Sequence, residues 1–315
     1  MWPSPNPRRP AHEDAVEGFV ASVDRGRSGV LVGVRTDTAM RARELGRRGV
    51  VVGDRVALAG DTSGAPGTLA RVVRVSPRAT VLRRSADDTD PVERVIVANA
   101  DQMGIVCALA APPPRPRFID RCLVAAYDAG LRPLLCLTKA DLASPDELLH
   151  AYAPLGIAHV VLGRPLDSSR LAPLRQHLEG RTSVLIGHSG VGKSTLVNAL
   201  IPDADRAVGT VSPVTGRGRH TSSSAVALPL PGGGWIIDTP GLRGFGLGHV
   251  APDRVVRAFT DLAPGTAACP PGCDHDQPDC ALDDWVHDQG GDPRLAARLD
   301  SLRRLLRSRD GAEAW

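Results

Sequence analysis

The chain has 315 residues, 42% of them apolar, so it is long enough to form two or three domains with substantial cores. Its 38 basic and 35 acidic side chains leave a net charge of +3, which excludes a histone-like polycation. The low aromatic content, 3%, disfavours an RNA-binding protein that depends on base stacking alone. Any contact with nucleic acid must therefore come from local basic patches.

The first segment of the chain, 1–14, is rich in proline and poor in apolar side chains, and we predict that it forms a disordered tail. It lacks the charged region and apolar stretch of a signal peptide, and no later apolar run is long enough to span a bilayer. We therefore expect a cytoplasmic monomer that makes no contact with membranes.

The next segment, 15–83, predicts a small all-β barrel of the OB type, because short β-type runs alternate with Gly, Asp and Ser turns. The five predicted strands are Val16–Val23, Gly29–Val34, Val50–Leu58, Leu69–Val75 and Ala79–Leu82. A basic loop between the second and third strands contains Arg41, Arg43, Arg47 and Arg48. These arginines are candidates for contacts with RNA phosphates, and a solvated charged loop is an equally good interpretation.

A polar linker, 84–91, leads into a central domain, 92–250, in which apolar runs alternate with helical patterns such as Phe118–Ala129. The apolar runs are Met103–Ala108, Leu134–Leu137, His159–Leu162, Ser183–Ile186 and Trp235–Ile237. This alternation predicts an α/β domain built around a parallel sheet.

The central domain contains a phosphate-binding loop of the P-loop type, placed between an apolar strand and a helical pattern. In such a loop the glycines let backbone N–H groups face phosphate oxygens, the lysine reaches the β- and γ-phosphates, and the next hydroxyl binds Mg²⁺. Lys193 and Ser194 are the residues with these last two roles. The residues predicted to bind nucleotide here are Gly187, His188, Ser189, Gly190, Val191, Gly192, Lys193, Ser194 and Thr195.

Two further motifs lie at the ends of predicted strands. Asp238 can assist Mg²⁺ binding, and the N–H of Gly241, three residues later, can approach the γ-phosphate. The run Thr138-Lys139-Ala140-Asp141 ends another strand, where the lysine stem can cover a base while the carboxylate accepts from N1–H and the 2-amino group of guanine. Adenine lacks this pair of donors, so the motif favours GTP over ATP.

The order of these motifs is unusual, because the guanine-reading motif precedes the phosphate-binding loop. In most GTPases the phosphate-binding loop comes first. The order therefore predicts a circularly permuted GTPase domain, which is possible because the ends of compact domains often lie close together.

The C-terminal region, 251–315, contains a cluster of three cysteines and one histidine, followed by a helical pattern. The members of the cluster are Cys269, Cys273, His275 and Cys280. Three thiolates and one imidazole fit a closed tetrahedral Zn²⁺ site and argue against Mg²⁺ or Ca²⁺. The alternative is an unliganded loop of reactive thiols.

Along the C-terminal helical pattern, arginines lie beside a stripe of leucines. These arginines are Arg294, Arg298, Arg303, Arg304, Arg307 and Arg309. A solvated helix face and a contact with rRNA are equally good interpretations of them.

Taken together, these residues resemble the ribosome small-subunit-dependent, circularly permuted GTPases of the RsgA/YjeQ type. The most specific segments are Asn99–Gln102, Gly209–Ser212, Gly216–Thr221, Asp238–Gly241 and the Cys/His cluster. The resemblance implies one structural Zn²⁺, Mg²⁺ bound with GTP, and the small ribosomal subunit with its rRNA as partner. By position it makes Thr221 a candidate Mg²⁺ ligand and His220 a candidate catalytic residue, joining Lys193 and Gly241.

We therefore expect a multidomain protein with an N-terminal OB-like barrel, a central circularly permuted P-loop α/β GTPase domain and a C-terminal α-helical zinc-binding domain. Its expected reaction converts GTP to GDP and phosphate during late maturation of the small subunit. Leu242 stands where Ras-like enzymes carry the glutamine that orients water, so hydrolysis should need stimulation by the subunit. A GTP-gated RNA-binding module with incidental hydrolysis is the alternative, and the guanine-reading motif disfavours a metabolic P-loop kinase.

Overall fold

The computed structural model describes residues 14–24, 26–45, 49–65, 67–85, 93–202, 225–239 and 246–309. Five of the predicted site residues lie outside these ranges, namely Arg47, Arg48, His220, Thr221 and Gly241. Leu242 and most of the predicted tail lie outside them as well.

A closed five-stranded barrel forms the N-terminal part of the protein, as predicted. Its strands are β1 (Val16–Asp24), β2 (Arg27–Val32), β3 (Arg35–Arg41), β4 (Arg55–Gly60) and β5 (Ala70–Val75). They are ordered β1-β2-β3-β5-β4, and β4 pairs with β1 to close the barrel. Small and branched side chains fill the interior, among them Val20, Val30, Leu58 and Val72.

The fifth barrel strand is not the predicted one. The barrel uses Arg35–Arg41, which the apolar pattern missed because most of its side chains are polar. Its inward-facing Asp37 is buried and lies 3.3 Å from the Arg35 guanidinium. The predicted strand Ala79–Leu82 instead contributes to β6 (Val81–Arg84), which pairs with β7 (Arg94–Ala98) in a separate two-stranded sheet.

A mixed sheet forms the centre of the protein, flanked by helices. Its strands are β8 (Gln102–Ala108), β9 (Arg132–Thr138), β10 (Ala158–Leu162), β11 (Thr182–Ile186), β12 (Val226–Pro229) and β13 (Trp235–Asp238). The helices between them are α1 (Pro116–Asp128), α2 (Asp146–Tyr152), α3 (Ser168–Leu178) and α4 (Lys193–Leu200). The order is β10-β9-β8-β11-β13-β12, with only β12 antiparallel to its neighbour.

This strand order explains how a permuted sequence builds an ordinary nucleotide-binding sheet. Strand β11 is central, the strands that precede it in the chain lie on one side, and those that follow it lie on the other. The carboxyl ends of the five parallel strands meet at one edge, where open α/β sheets bind their ligands. The predicted parallel sheet is therefore confirmed.

The barrel continues the central sheet, because β1 pairs with β12 through Ser22 and Val226. The barrel also contacts β7, through Gly53, where an added Cβ would lie 1.9 Å from the carbonyl oxygen of Ala98. Only glycine permits this approach, and its φ of +91° also favours glycine. The side-chain amide of Asn99 then donates to the Gly53 carbonyl at 2.9 Å.

The C-terminal part contains α5 (Pro252–Val256), α6 (Leu282–Asp288) and the long helix α7 (Pro293–Arg309). Helix α7 packs on α1, with Leu302 and Leu305 fully buried. Arg121 of α1 is also buried, and its guanidinium donates to the Ser308 carbonyl near the end of α7 at 2.6 Å. Within the ranges described above, no helix is long and apolar enough to cross a membrane.

Candidate nucleotide and metal sites

The phosphate-binding loop connects β11 to α4 and depends on glycine at three positions. Gly187 lies so close to β8 that an added Cβ would be 2.7 Å from the Val106 carbonyl oxygen. Gly190 and Gly192 have φ angles of +82° and +94°, which curl the chain before α4 begins at Lys193. The N-terminus of α4 therefore faces the loop, as an anion-binding site requires.

Lys193 contacts the carboxylate of Asp238, which lies at the end of the neighbouring strand β13. Ser194 is exposed in the first turn of α4. A hydroxyl and a carboxylate are the hard oxygen ligands that Mg²⁺ prefers, so Ser194 and Asp238 fit the predicted Mg²⁺ site. The next residue, Thr239, is fixed by a hydrogen bond from its hydroxyl to the Leu185 carbonyl at 2.9 Å.

The guanine-reading motif follows β9 and is joined directly to the phosphate-binding loop. The hydroxyl of Thr138 donates to the carbonyl of Val191 at 2.6 Å. The ammonium of Lys139 donates to the carbonyl of Gly190 at 2.8 Å and also to that of Ala111. The structure therefore brings both lysines of the chain to the same edge of the sheet.

Asp141 lies at the exposed end of this motif. Its carboxylate accepts a hydrogen bond from the backbone N–H of Arg164 at 2.9 Å. This bond is the main reason that the pKa of Asp141 is lowered, so the side chain is ionised and can only accept hydrogen bonds at neutral pH. Sequence reasoning missed the part played by Arg164, which no local pattern connects to the motif.

His188 is packed differently from the other residues of the loop. Its ring lies 3.8 Å, centroid to centroid, from the ring of Phe118 on α1. Burial lowers the pKa of His188, with a smaller contribution from Arg115, so the imidazole is neutral at neutral pH. The part of His188 that can serve a phosphate is therefore its backbone N–H.

We expect Thr138→Val to weaken GTP binding by about twofold to tenfold, because it removes a neutral hydrogen bond worth about 0.5–1.5 kcal/mol. Thr138→Ser keeps the hydroxyl and should bind GTP as tightly as the wild type. Titration with a fluorescent GTP analogue measures both dissociation constants. Equal affinities for the valine and serine variants would show that the Thr138 to Val191 bond does not support the site.

The predicted zinc ligands converge in space. The donor atoms of Cys269, Cys273, His275 and Cys280 all lie within 4.8 Å of one another. Cys269 Sγ is 3.7 Å from His275 Nδ1 and 3.9 Å from Cys280 Sγ. Because tetrahedral Zn²⁺ with bonds of about 2.0–2.3 Å separates its ligands by about 3.5–3.8 Å, this donor set fits a structural zinc ion.

Groups around the cluster hold the imidazole in place. The Nε2 atom of His275 lies 3.2 Å from a carboxylate oxygen of Asp253, a partner typical of metal-bound histidines. Arg303 of α7 donates to the His275 carbonyl at 3.2 Å and pairs with Asp283 at 2.6 Å. Asp253 lies 22 residues before His275, so spacing alone could not predict this contact.

The arginines of α7 are largely occupied within the protein. Arg298 pairs with Asp261, Arg304 with Asp120, and Arg307 with Asp276. These pairs connect α7 to Asp276 in the zinc-binding loop (residues 269–280), to Asp120 in α1, and to Asp261, which precedes the loop. The observed contacts therefore favour a structural role for the half-buried Arg298 and Arg303, whereas Arg307, whose side chain is 66% exposed, still fits a solvated helix face.

The two described members of the basic loop lie on the barrel surface. Arg41 is the last residue of β3, and Arg43 lies in a short 3-10 helix, Arg43–Leu45. Both are exposed, and neither belongs to the elements that form the nucleotide site.

Comparison with known proteins identifies relatives along most of the chain. A sequence model of the RsgA GTPase family matches residues 75–248. The small ribosomal subunit biogenesis GTPase RsgA of Pseudomonas aeruginosa is 39% identical over 267 residues, which cover 82% of this chain and 76% of that protein. The protein of the same name from Gemmatimonas aurantiaca is 39% identical over 266 residues, which cover 81% and 85% respectively.

Two solved structures share the fold. YjeQ from Thermotoga maritima has a TM-score of 0.67 and 24% identity, and the match covers 95% of this chain and 100% of that one. YloQ, described as a circularly permuted GTPase, has a TM-score of 0.64 and 20% identity, covering 97% and 100%. The family model and the two relatives show that the chain belongs to the RsgA GTPase family, and the shared fold together with the strand order shows that it is a circularly permuted GTPase.

Proposed function

We propose that this GTPase acts in the cytoplasm as a late assembly factor of the small ribosomal subunit, and that the subunit stimulates its hydrolysis of GTP. The relatives named above, which carry small ribosomal subunit biogenesis in their names, support the proposal. The names of these relatives carry the assembly role, and the direct link between the guanine-reading motif and the phosphate-binding loop through Thr138 and Lys139 supports the binding of GTP.

In the proposed reaction, Asp141 selects guanine and Lys193 places its charge against the β- and γ-phosphates. Ser194, Asp238 and Thr221 would hold Mg²⁺, which neutralises charge on the phosphates when it is bound. Gly241 would offer its N–H to the γ-phosphate, and His220 would assist the attacking water.

The need for stimulation follows from Leu242. An apolar side chain cannot orient the attacking water, so this contact would come from a partner or from a rearrangement that brings His220 to the water. Loss of one such contact typically costs about a hundredfold to a thousandfold in kcat. The basic loop with Arg41, Arg43, Arg47 and Arg48 would bind rRNA phosphates and bring the partner to the enzyme.

We expect small subunits to raise kcat by at least about a hundredfold, which corresponds to about 2.7 kcal/mol of barrier. Replacing the four loop arginines by alanine should weaken subunit binding and reduce its dependence on salt, without changing basal hydrolysis. GTP turnover measured against subunit concentration at two salt levels tests both statements.

The matched control replaces four exposed arginines outside the barrel, Arg94, Arg132, Arg175 and Arg257, and should leave subunit binding within about twofold. If the free protein already turns over several times per second and subunits add nothing, the proposed stimulation is wrong. If the control weakens binding as much as the loop variant does, general charge and not the loop binds rRNA.

A further inference from the structure

Three polar side chains from distant parts of the sequence meet in the interior, outside the nucleotide and zinc sites. Ser85 is 1% exposed, and the side chains of His249 and Asp128 are each 2% exposed. Ser85 Oγ lies 3.0 Å from His249 Nδ1, and His249 Nε2 lies 3.8 Å from a carboxylate oxygen of Asp128. Arg254 of α5 also donates to Asp128 at 3.0 Å.

This arrangement is not a nucleophilic triad, although it contains the same residue types. In hydrolytic triads the serine faces Nε2 and the carboxylate faces Nδ1, and here the two are exchanged. The burial of Ser85 also closes its hydroxyl to any substrate. Burial lowers the pKa of His249, so the neutral ring can accept from Ser85 at Nδ1 while its Nε2–H faces Asp128. The contacts within the cluster therefore have a structural role, which is to fix Ser85 and His249 relative to Asp128.

The cluster contacts Gly246, which lies close in the sequence to the predicted catalytic residue Gly241. The backbone N–H of Ser85 donates to the Gly246 carbonyl at 3.0 Å, in an isolated antiparallel bridge. Gly246 follows Gly241 by five positions in the chain. Upstream of Gly241, Thr239 is fixed by its bond to Leu185. The described residues on both sides of Gly241 are thus anchored, and the downstream anchor is Ser85 together with His249.

Ser85 immediately follows β6, and the start of that strand is fixed to the barrel. The carboxamide oxygen of Asn99 accepts from the backbone N–H of Ala79 at 2.8 Å, while its amide donates to Gly53 in the barrel. Arg78 pairs with the buried Asp54 at 2.7 Å and donates to the carbonyl of Gly49 at 2.8 Å. Gly49 directly follows the basic loop in the sequence. One short segment therefore contacts the barrel at one end and Gly246 at the other.

We propose that Ser85 and His249 form a positioning pair for GTP hydrolysis, which fixes Gly246, five positions after Gly241 in the sequence, relative to the barrel and transmits binding at the barrel to the catalytic site. The proposal rests on the proposed function for the source of that binding, the small subunit. Both residues act through Gly246, and neither is a catalytic residue.

The test compares Ser85→Ala, which removes one hydroxyl, and His249→Gln with the conservative variant His249→Asn. An asparagine amide can occupy the place of Nδ1 and keep the bond to Ser85, whereas glutamine extends beyond it. We expect the first two variants to lose at least tenfold of subunit-stimulated kcat, with KM for GTP and subunit binding within about twofold of wild type. His249→Asn should keep most of the stimulation. The matched control Arg254→Gln, which removes only the ion pair with Asp128, should keep it as well.

A second measurement does not depend on subunits. Amide hydrogen exchange of residues 81–85 and 246–250 in the free protein should differ between the GDP and non-hydrolysable GTP-analogue states, and Ser85→Ala should abolish that difference. The proposed positioning role would be refuted if subunits stimulated Ser85→Ala and His249→Gln as strongly as the wild type. It would also be refuted if amide hydrogen exchange in the wild type did not depend on the bound nucleotide. If wild-type protein shows no subunit stimulation but its exchange depends on nucleotide and on Ser85, the proposed function fails and the positioning pair stands.

Discussion

Asp141→Asn should weaken GTP binding by about a hundredfold to ten-thousandfold, because two hydrogen bonds to a charged acceptor contribute about 1.5–3 kcal/mol each. The Asp141 carboxylate is a charged acceptor at neutral pH, because the hydrogen bond from the backbone N–H of Arg164 lowers its pKa. The variant should also prefer xanthosine triphosphate, because the amide supplies a donor where xanthine carries an oxygen in place of the 2-amino group of guanine. Competition between the two nucleotides for a fluorescent analogue measures both changes.

The matched control is Asp146→Asn, an exposed carboxylate in the first turn of α2, five positions after Asp141 in the sequence. It should leave the dissociation constants for GTP and xanthosine triphosphate unchanged within about twofold. An unchanged nucleotide preference in Asp141→Asn would refute the assignment of guanine recognition to this motif.

The five parallel strands of the central sheet could be predicted from the sequence because they carry apolar runs, and three of them, β8, β9 and β11, are almost entirely buried. A strand such as β8 carries an unbroken apolar run, and every one of its residues is buried. Such runs stand out without any knowledge of their partners. The order of the two nucleotide motifs then predicted the permutation, which the position of β11 in the sheet confirms.

The barrel strand Arg35–Arg41 could not be predicted in this way. Its residues alternate between the barrel interior and solvent, and one inward residue is Asp37, whose charge is offset by Arg35. The pattern is therefore that of a polar loop until the pairing of β3 with β2 and β5 is known. Tertiary pairing, and not local preference, makes this segment a strand.

In the candidate site, too, the features formed by neighbouring residues could be predicted from the sequence, and the long-range contacts could not. The glycines and Lys193 of the phosphate-binding loop follow each other in the sequence, so their pattern is visible. The bond between Thr138 and Val191 spans 53 residues, and that between Ser85 and His249 spans 164. Contacts of this kind depend on the packed fold, and no spacing rule in the sequence indicates them.

Loss of zinc from the Cys/His cluster should also have a large effect on the fold. We expect one tightly bound Zn²⁺ per chain, and its removal should unfold the loop that carries the four ligands, because structural zinc contributes about 10–16 kcal/mol to small metal-dependent folds. Cys273→Ser should have the same result, since it replaces a thiolate that lies buried beside His275. Metal analysis of the pure protein and hydrogen exchange with and without a chelator measure these outcomes. Finding no zinc in the pure protein would refute the site.

The structure also predicts where this unfolding should stop. Helix α7 does not depend on the cluster alone, because Leu302 and Leu305 are buried against α1 and Arg121 binds the Ser308 carbonyl. Burial of each leucine contributes about 1.5–3 kcal/mol, so α7 should stay protected while residues 263–288 lose protection. GTP binding should persist, and the control variant Cys122→Ala, which alters a buried thiol of α1, should retain zinc. Loss of protection throughout α7 together with loss of GTP binding would instead show that the metal stabilises the whole protein, through the ion pairs that join α7 to the zinc-binding loop.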